Sequence, residues 1–255
     1  MTTLVLLTKI CNNNQLKQIE KILKLAFEDL DVETKFLSTT DDRWPELVLT
    51  GEDEGIAASY VSKEIGICPA SLEGISKFSV LKGYITNLAE SREELLIDIG
   101  VFKPEIVYTT IPLCHLQAQL ADGRKIALRK IAELFGLCED LPLRVKVSSL
   151  NADESRIDAE LPPDQIEKYQ VWRESMLDRL LVLGVSLHEI KRMLEHAKLY
   201  RDVIDVETLG MFEHVLTCKL GTDAAGLIPK IGRNLKNAKF AVFNPRKINA
   251  FLQAN

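Results

Sequence analysis

Apolar positions recur at two periods along this chain, and the switches between the periods mark its elements. Residues 3–8 form a short apolar run of strand length. After the Asn12-Asn13-Asn14 turn, Leu16, Ile19, Ile22, Leu23, Leu25, Ala26 and Phe27 return at helical spacing. Strands are predicted at 32–37 and 46–50 across the polar stretch 38–45, then a helix over 52–65 that stops at Gly66. Period two takes over in the middle. Lys82-Gly83-Tyr84-Ile85-Thr86 reads as a strand kinked at its glycine, Leu95-Leu96-Ile97-Asp98-Ile99-Gly100 as a buried strand, and 108–116 as a third strand running into a turn. Leu143-Arg144-Val145-Lys146-Val147 and 156–161 alternate on either side of Asn151-Ala152-Asp153-Glu154, which predicts a hairpin. Helical signals resume at Asp164 and carry Trp172, Met176, Leu177, Leu180, Leu181 and Leu183 as far as Gly184. Ser186-Leu187-His188-Glu189 opens a second helix with a capping-box start, giving an αα-hairpin. Strands at 203–206 and 211–219 about Thr208-Leu209-Gly210, a helix, and a strand at 239–243 complete the chain.

The predicted fold class is therefore α+β and multidomain. Residues 1–78 make a small α/β unit whose β-α-β-β-α order suggests a ferredoxin-like sandwich, with 66–78 as linker. Residues 79–161 make a barrel with a helical insertion at 117–138. Residues 162–255 make a helical hairpin plus an α/β unit, with Trp172 on a Leu-rich face as a core residue. The middle series resembles the S1 RNA-binding domain of the OB class. It has the Gly-initiated first strand, a second strand ending Asp-Ile-Gly, a short turn and a final hairpin with an acidic turn, over about a third of the chain. It departs from that pattern at Glu93-Glu94-Leu95-Leu96, where S1 domains carry stacking aromatics, and at Pro112, near their usual histidine. The resemblance implies RNA or single-stranded nucleic acid as a partner.

Composition narrows the setting. The chain has 255 residues with 46% hydrophobic content, enough for one large domain or two to three small ones. No apolar run has bilayer length, and the first residues lack the basic start and cleavage site of a signal peptide, so the cytoplasm is expected. Cys11, Cys68, Cys114, Cys138 and Cys218 are odd in number and scattered, without a C-x-x-C pair. Neither zinc, nor a disulfide framework, nor any other cofactor is expected.

Charge changes the picture more. Net charge is -5, yet residues 1–80 hold 8 Lys and Arg against 13 Asp and Glu, whereas residues 219–255 hold 7 against the single Asp223. A local basic surface is what a phosphate backbone requires. Candidate RNA contacts are Lys82, Arg144 and Lys146 on barrel strands, and Arg124, Lys125, Arg129 and Lys130 in the insertion. The terminal region adds Lys219, Lys230, Arg233, Lys236, Lys239, Arg246 and Lys247. The small-residue turn Gly221-Thr222-Asp223 leads into a helix, where free N–H groups hold phosphate or simply receive the Thr222 and Asp223 caps. Gly51-Glu52-Asp53-Glu54 reads as an acidic first helical turn.

Enzymatic signatures are absent from the sequence. His188-Glu189 lacks the second histidine of H-E-x-x-H, His115 and His214 fall in predicted strands, no serine stands in G-x-S-x-G, and no P-loop or G-x-G-x-x-G occurs. Asp98 reads as structural. The whole chain resembles an archaeal family known as a domain of unknown function. That likeness is carried by residues 96–100, Ile111-Pro112-Leu113, Leu120-Ala121-Asp122-Gly123-Arg124, 179–184 and 219–229. The order of barrel, helical piece and terminal α/β unit is also similar to that of the alpha subunit of archaeal translation initiation factor 2. The expectation is a non-enzymatic RNA-binding protein tied to translation or the ribosome. The first alternative is a module that docks a protein partner or a second copy of the chain, and a lower one is an enzyme whose site residues are dispersed along the sequence.

Overall fold

The computed structural model describes residues 1–40, 42–151 and 156–253; most of the acidic hairpin turn expected at 151–154 lies outside them. The chain divides into two compact units, Met1–Glu73 with Gly100–Ile106, and Gly74–Ile99 with Val107 onward.

The first unit contains β1 (Thr2–Val5), α1 (Asn13–Ala26), β2 (Glu33–Thr39), β3 (Pro45–Thr50), α2 (Glu54–Glu64) and β4 (Ala70–Ser71). A capping box starts α1: Asn12 Oδ1 accepts from Gln15 N–H at 3.1 Å, and Gln15 Oε1 accepts from Asn12 N–H at 3.3 Å. Both helices bury one side, Ile19 and Leu23 on α1 and Ala57 and Val61 on α2. The antiparallel order is β1-β3-β2. After α2 the chain returns along the free edge of β1, where Leu6 bridges Ile67 and Cys68 N–H donates to the Val5 carbonyl at 2.8 Å. That return occupies the fourth-strand place of a ferredoxin-like sheet. Residues 66–78 are thus more than a linker, since β4 also pairs in parallel with Val101 and Lys103.

The second unit opens with β5 (Val80–Thr86), β6 (Glu94–Lys103, of which 100–103 fall in the first unit), β7 (Val107–Pro112), α3 (Leu113–Leu120), α4 (Leu128–Phe135), β8 (Pro142–Asn151) and β9 (Arg156–Glu160). Its strands run β6-β5-β8-β9-β7, and a β6–β7 pairing closes the ring. β7 and β9 are parallel while β5–β6, β5–β8 and β8–β9 are antiparallel. Helices between the third and fourth strands complete the OB arrangement. Gly83 is required there, because a Cβ would lie 2.6 Å from both the Asp98 carbonyl oxygen and Ile97 Cγ2. One boundary differs from the sequence reading. β7 ends at Pro112, so His115 lies on α3 and not in a strand.

The remainder is α5 (Pro163–Glu174), β10 (Arg179–Leu183), α6 (Leu187–His196), β11 (Val203–Thr208), β12 (Glu213–Cys218), α7 (Ala224–Gly232), β13 (Lys239–Phe243) and α8 (Pro245–Gln253). Two helices flank Gly184 as expected only in part, because α5 stops at Glu174 and Arg179–Leu183 is a strand between them. Met176 takes a left-handed φ of 55°, which ends helical continuation, and every residue of β10 is buried. A strand covered on both faces reads as an unbroken apolar run, the pattern it shares with a buried helix. With β10 central, the order β11-β12-β10-β13 and the sequence β-α-β-β-α-β make a second, complete ferredoxin-like sheet.

One face of that sheet packs Leu180, Val182 and Leu216 against Ile190 and Leu194 of α6 and Leu227 and Ile231 of α7. The other face meets the barrel side of the unit through rings. Phe243 stacks with Tyr169 at 6.1 Å and meets Trp172 edge-on at 5.3 Å and Phe135 edge-on at 6.1 Å. Trp172, 6% exposed, is a core residue as the sequence implied. Arg179 fastens α5 to the sheet by donating to the Trp172 and Leu177 carbonyls at 3.0 and 2.9 Å.

Candidate nucleic-acid interface

OB barrels take up strands on the face of their second and third strands and on the loop joining the first two. Here that loop, residues 87–93, faces α4 across a groove of about 1010 Å³. Leu88, Ala89, Leu128, Ala132 and Leu137 give the groove apolar walls, and Arg92 and Arg129 line it as exposed cations. Neither arginine has an ion-pair partner among the described residues. The loop is held at its base, where both oxygens of Glu139 accept backbone N–H groups, from Asn87 at 3.1 Å and Leu88 at 3.2 Å. Asn87 adopts a left-handed φ of 52°, the turn that aims the two N–H groups at one carboxylate. The adjoining face of the barrel is acidic. Arg156 is drawn to Asp158 at 2.8 Å and Glu94 at 3.8 Å, and Asp158 also accepts from Ser149 Oγ at 2.9 Å.

The expected cations fall into two groups. Several are already engaged within the unit. Lys82 is partly buried on β5 and near the Tyr84 ring, Arg144 pairs with Asp164, and Lys146 pairs with Glu160 at 3.1 Å. Lys130 pairs with Glu133 at 3.1 Å, and Lys239 with the buried Asp140 at 2.6 Å. Arg124 donates to the Phe251 and Leu252 carbonyls at 3.0 and 2.6 Å, capping the C-terminal end of α8. The others stand exposed without an ion-pair partner among the described residues: Lys125 and Arg129 in the insertion, Lys219 after β12, Lys230, Arg233 and Lys236 on and beyond α7, and Arg246 and Lys247 on α8.

The Gly221-Thr222-Asp223 turn is filled from within. Asp223 accepts from the Ala225 and Gly226 N–H groups at 3.1 and 3.2 Å, and Ala224 N–H donates to Asp178 at 3.3 Å. Carboxylates already hold the donors a phosphate would use, so of the Thr222 and Asp223 caps in the capping alternative the Asp223 one is formed. Burial pushes the Cys138 and Cys218 thiols up to about 12, leaving them protonated and unreactive. No group of metal-binding side chains occurs among the described residues. Nor is any helix there long and apolar enough to cross a membrane.

Sequence reasoning passed over Arg92, Glu139 and the helix α8. Asn244-Pro245 followed by Ile248, Phe251 and Leu252 was a readable helix start, and Lys247 N–H does donate to Asn244 Oδ1 at 3.0 Å. Arg92 and Glu139 gave no local signal, because only barrel closure brings their segments together.

Family models cover most of the chain: the DUF2110 N-terminal domain matches residues 3–71, the DUF2110 central domain 76–173 and the DUF2110 C-terminal domain 177–243. The chain belongs to the DUF2110 family. Within this DUF2110 chain the central match takes in the barrel and α5, and the C-terminal match spans the second ferredoxin-like sheet from just before β10 to the end of β13. No curated protein matches it. Among solved structures it is similar to the intact alpha subunit of aIF2 from Pyrococcus abyssi, at 8% identity and a TM-score of 0.28, over 68% of this chain and 98% of that one. A likeness of that size is too small to carry a function across.

Proposed function

We propose that this DUF2110 protein is a non-enzymatic RNA-binding protein that works with the translation machinery, gripping backbone phosphate along α7, α8 and the barrel groove. One observation carries the reading. Residues 219–255 hold seven cations and one acid, that acid is spent on a helix cap, and six of the seven cations project unpaired from the described surface. Free cations on a rigid surface favour phosphate through counterion release and set no sequence preference. The OB barrel supports the reading by its architecture, with Arg92 and Arg129 in the place of the missing stacking aromatics.

Glu94 on β6 and Asp158 on β9 argue that phosphate contact lies at the groove and not along those two strands. A second reading, docking of a protein partner or another copy, draws support from the first unit. There Leu25 is 63% exposed and Ile56 59% exposed on its helices. Co-sedimentation with ribosomal subunits and with total cellular RNA, at low and high salt, separates the two. RNA binding requires salt-sensitive comigration that K230E with R233E abolishes. Salt-insensitive comigration unaffected by that pair would favour protein docking.

A further inference from the structure

A second cleft, of about 140 Å³, opens where β5 and β8 of the barrel, α5 and the C-terminal sheet meet inside the second unit. Its walls carry three cations, Lys82, Arg144 and Lys168, together with the hydrogen-bonding side chains of Gln165, Tyr169 and Thr208, and no carboxylate. We propose that this cleft is a binding site for a small oxyanion, with Lys82 as its principal cation. The inference is independent of the RNA reading, since none of these side chains lies on α7 or α8 or in the groove.

The arrangement of charge supports an anion. Arg144 and Lys168 stand at the cleft on exposed or half-buried stems, each ion-paired with an acid, Asp164 and Glu207 respectively. Lys168 also lies 5.1 Å from the Trp172 ring centroid, which fixes its ammonium near the cleft wall. Lys82 differs from both. Its ammonium is largely removed from water, which pulls its pKa below the usual lysine range, and the attraction of Glu213 opposes that pull. Glu213 is itself buried, and burial pushes its carboxyl up to about 7, so near neutrality it offers Lys82 only part of a counter-charge. An oxyanion in the cleft supplies the rest. The groups that act on Glu213 are Lys82 and Tyr84 from β5, the Phe212 N–H, and Asp140, whose charge Lys239 of β13 offsets.

Size restricts the ligand class. Pockets for drug-sized ligands run to roughly 300–1,000 Å³, so this cleft takes a tetrahedral oxyanion or the phosphate end of a larger molecule, not a whole nucleotide. Linkage follows from the same groups. Protonating Glu213 frees Lys82, so anion affinity rises as pH falls through about 7.

Sulfate is the probe because its charge is constant over the relevant pH range. Titration calorimetry of the full chain with sulfate should show one saturable site whose affinity rises at least about fivefold from pH 8.5 to 5.5. K82M should abolish it. E213Q should bind at pH 8.5 as tightly as the native chain does at pH 5.5, with no remaining pH dependence, a gain that misfolding cannot produce. AMP tested beside sulfate distinguishes sources: tighter AMP binding lost in K82M marks a nucleotide phosphate, and weaker AMP binding marks a free anion. Absence of saturable sulfate binding at pH 5.5, or binding unchanged in both K82M and E213Q, would overturn the site. Either failure would leave the co-sedimentation result untouched.

Discussion

The Tyr84 hydroxyl on the first barrel strand donates to Glu213 Oε2 on the C-terminal sheet at 3.4 Å, so a buried carboxyl ties the OB barrel to the ferredoxin-like sheet of the same unit. The contact has little room around it. A Cβ on Gly210 would collide with the same oxygen, and Phe212 N–H points to it at 3.4 Å. Burial is the main reason the Glu213 carboxyl rises from 4.5 to about 7, with Lys82, the Phe212 N–H and Tyr84 acting in the opposite direction.

That rise gives stability a pH dependence of definite sign. The folded chain holds the Glu213 proton more tightly than the unfolded chain, so this group's contribution is complete below about 4.5 and is lost as pH climbs to about 7. The loss is at most about 3 kcal/mol. Urea denaturation should therefore find E213Q matching the native chain at pH 4.5 and exceeding it at pH 8. Equal pH profiles for the two would refute the assignment.

Arg124 caps the C-terminal end of α8. Its two bonds to the α8 carbonyls and its 5.6 Å approach to the Phe251 ring hold the end of that helix. R124A should cost about 1–3 kcal/mol and speed hydrogen exchange over α8, with RNA affinity at low salt essentially unchanged. A loss of affinity without faster exchange would restore Arg124 to the interface.

Gly83 and Gly55 should respond in opposite directions to alanine. At Gly83 the new methyl meets backbone and two isoleucine side chains of the neighbouring strand, so G83A should destabilise by about 3 kcal/mol or more. At Gly55, in the first turn of α2, nothing lies within 4 Å, and G55A should stabilise by up to about 1 kcal/mol. Thermal unfolding of the two variants checks both signs.

Much of this fold could be read locally. The Asn12 and Ser186 capping boxes and the strand at 239–243 are set by neighbours in sequence, and the structure has each of them. The run Leu180-Leu181-Val182-Leu183 could not be resolved that way. Its burial on both faces depends on α5, α6 and α7, and without that context an apolar run of this length suits helix or strand equally. Reading it as helix hid the second ferredoxin-like sheet. The site divides similarly. The basic bias after Lys219 is visible as composition, whereas the role of Arg124, the pairing of Arg144 with Asp164 and the approach of Arg92 to α4 depend on contacts far apart in sequence.

The groove should carry a measurable share of RNA binding. R92E with R129E reverses the two free cations along it, and filling it with Ala132→Phe blocks its apolar wall. Each change should weaken binding to a single-stranded RNA about tenfold at low salt, by fluorescence anisotropy. Unchanged affinity in both would confine the interface to α7 and α8.

The central claim is that exposed cations of the terminal segment hold RNA phosphate, and the salt dependence of binding tests it most directly. Six phosphate contacts on a single strand give log K against log salt a slope of roughly −4, and reversing Lys230, Arg233 and Lys236 should flatten it by about 2. A shallow slope in the native chain, or a steep one that the triple reversal leaves in place, would contradict the account.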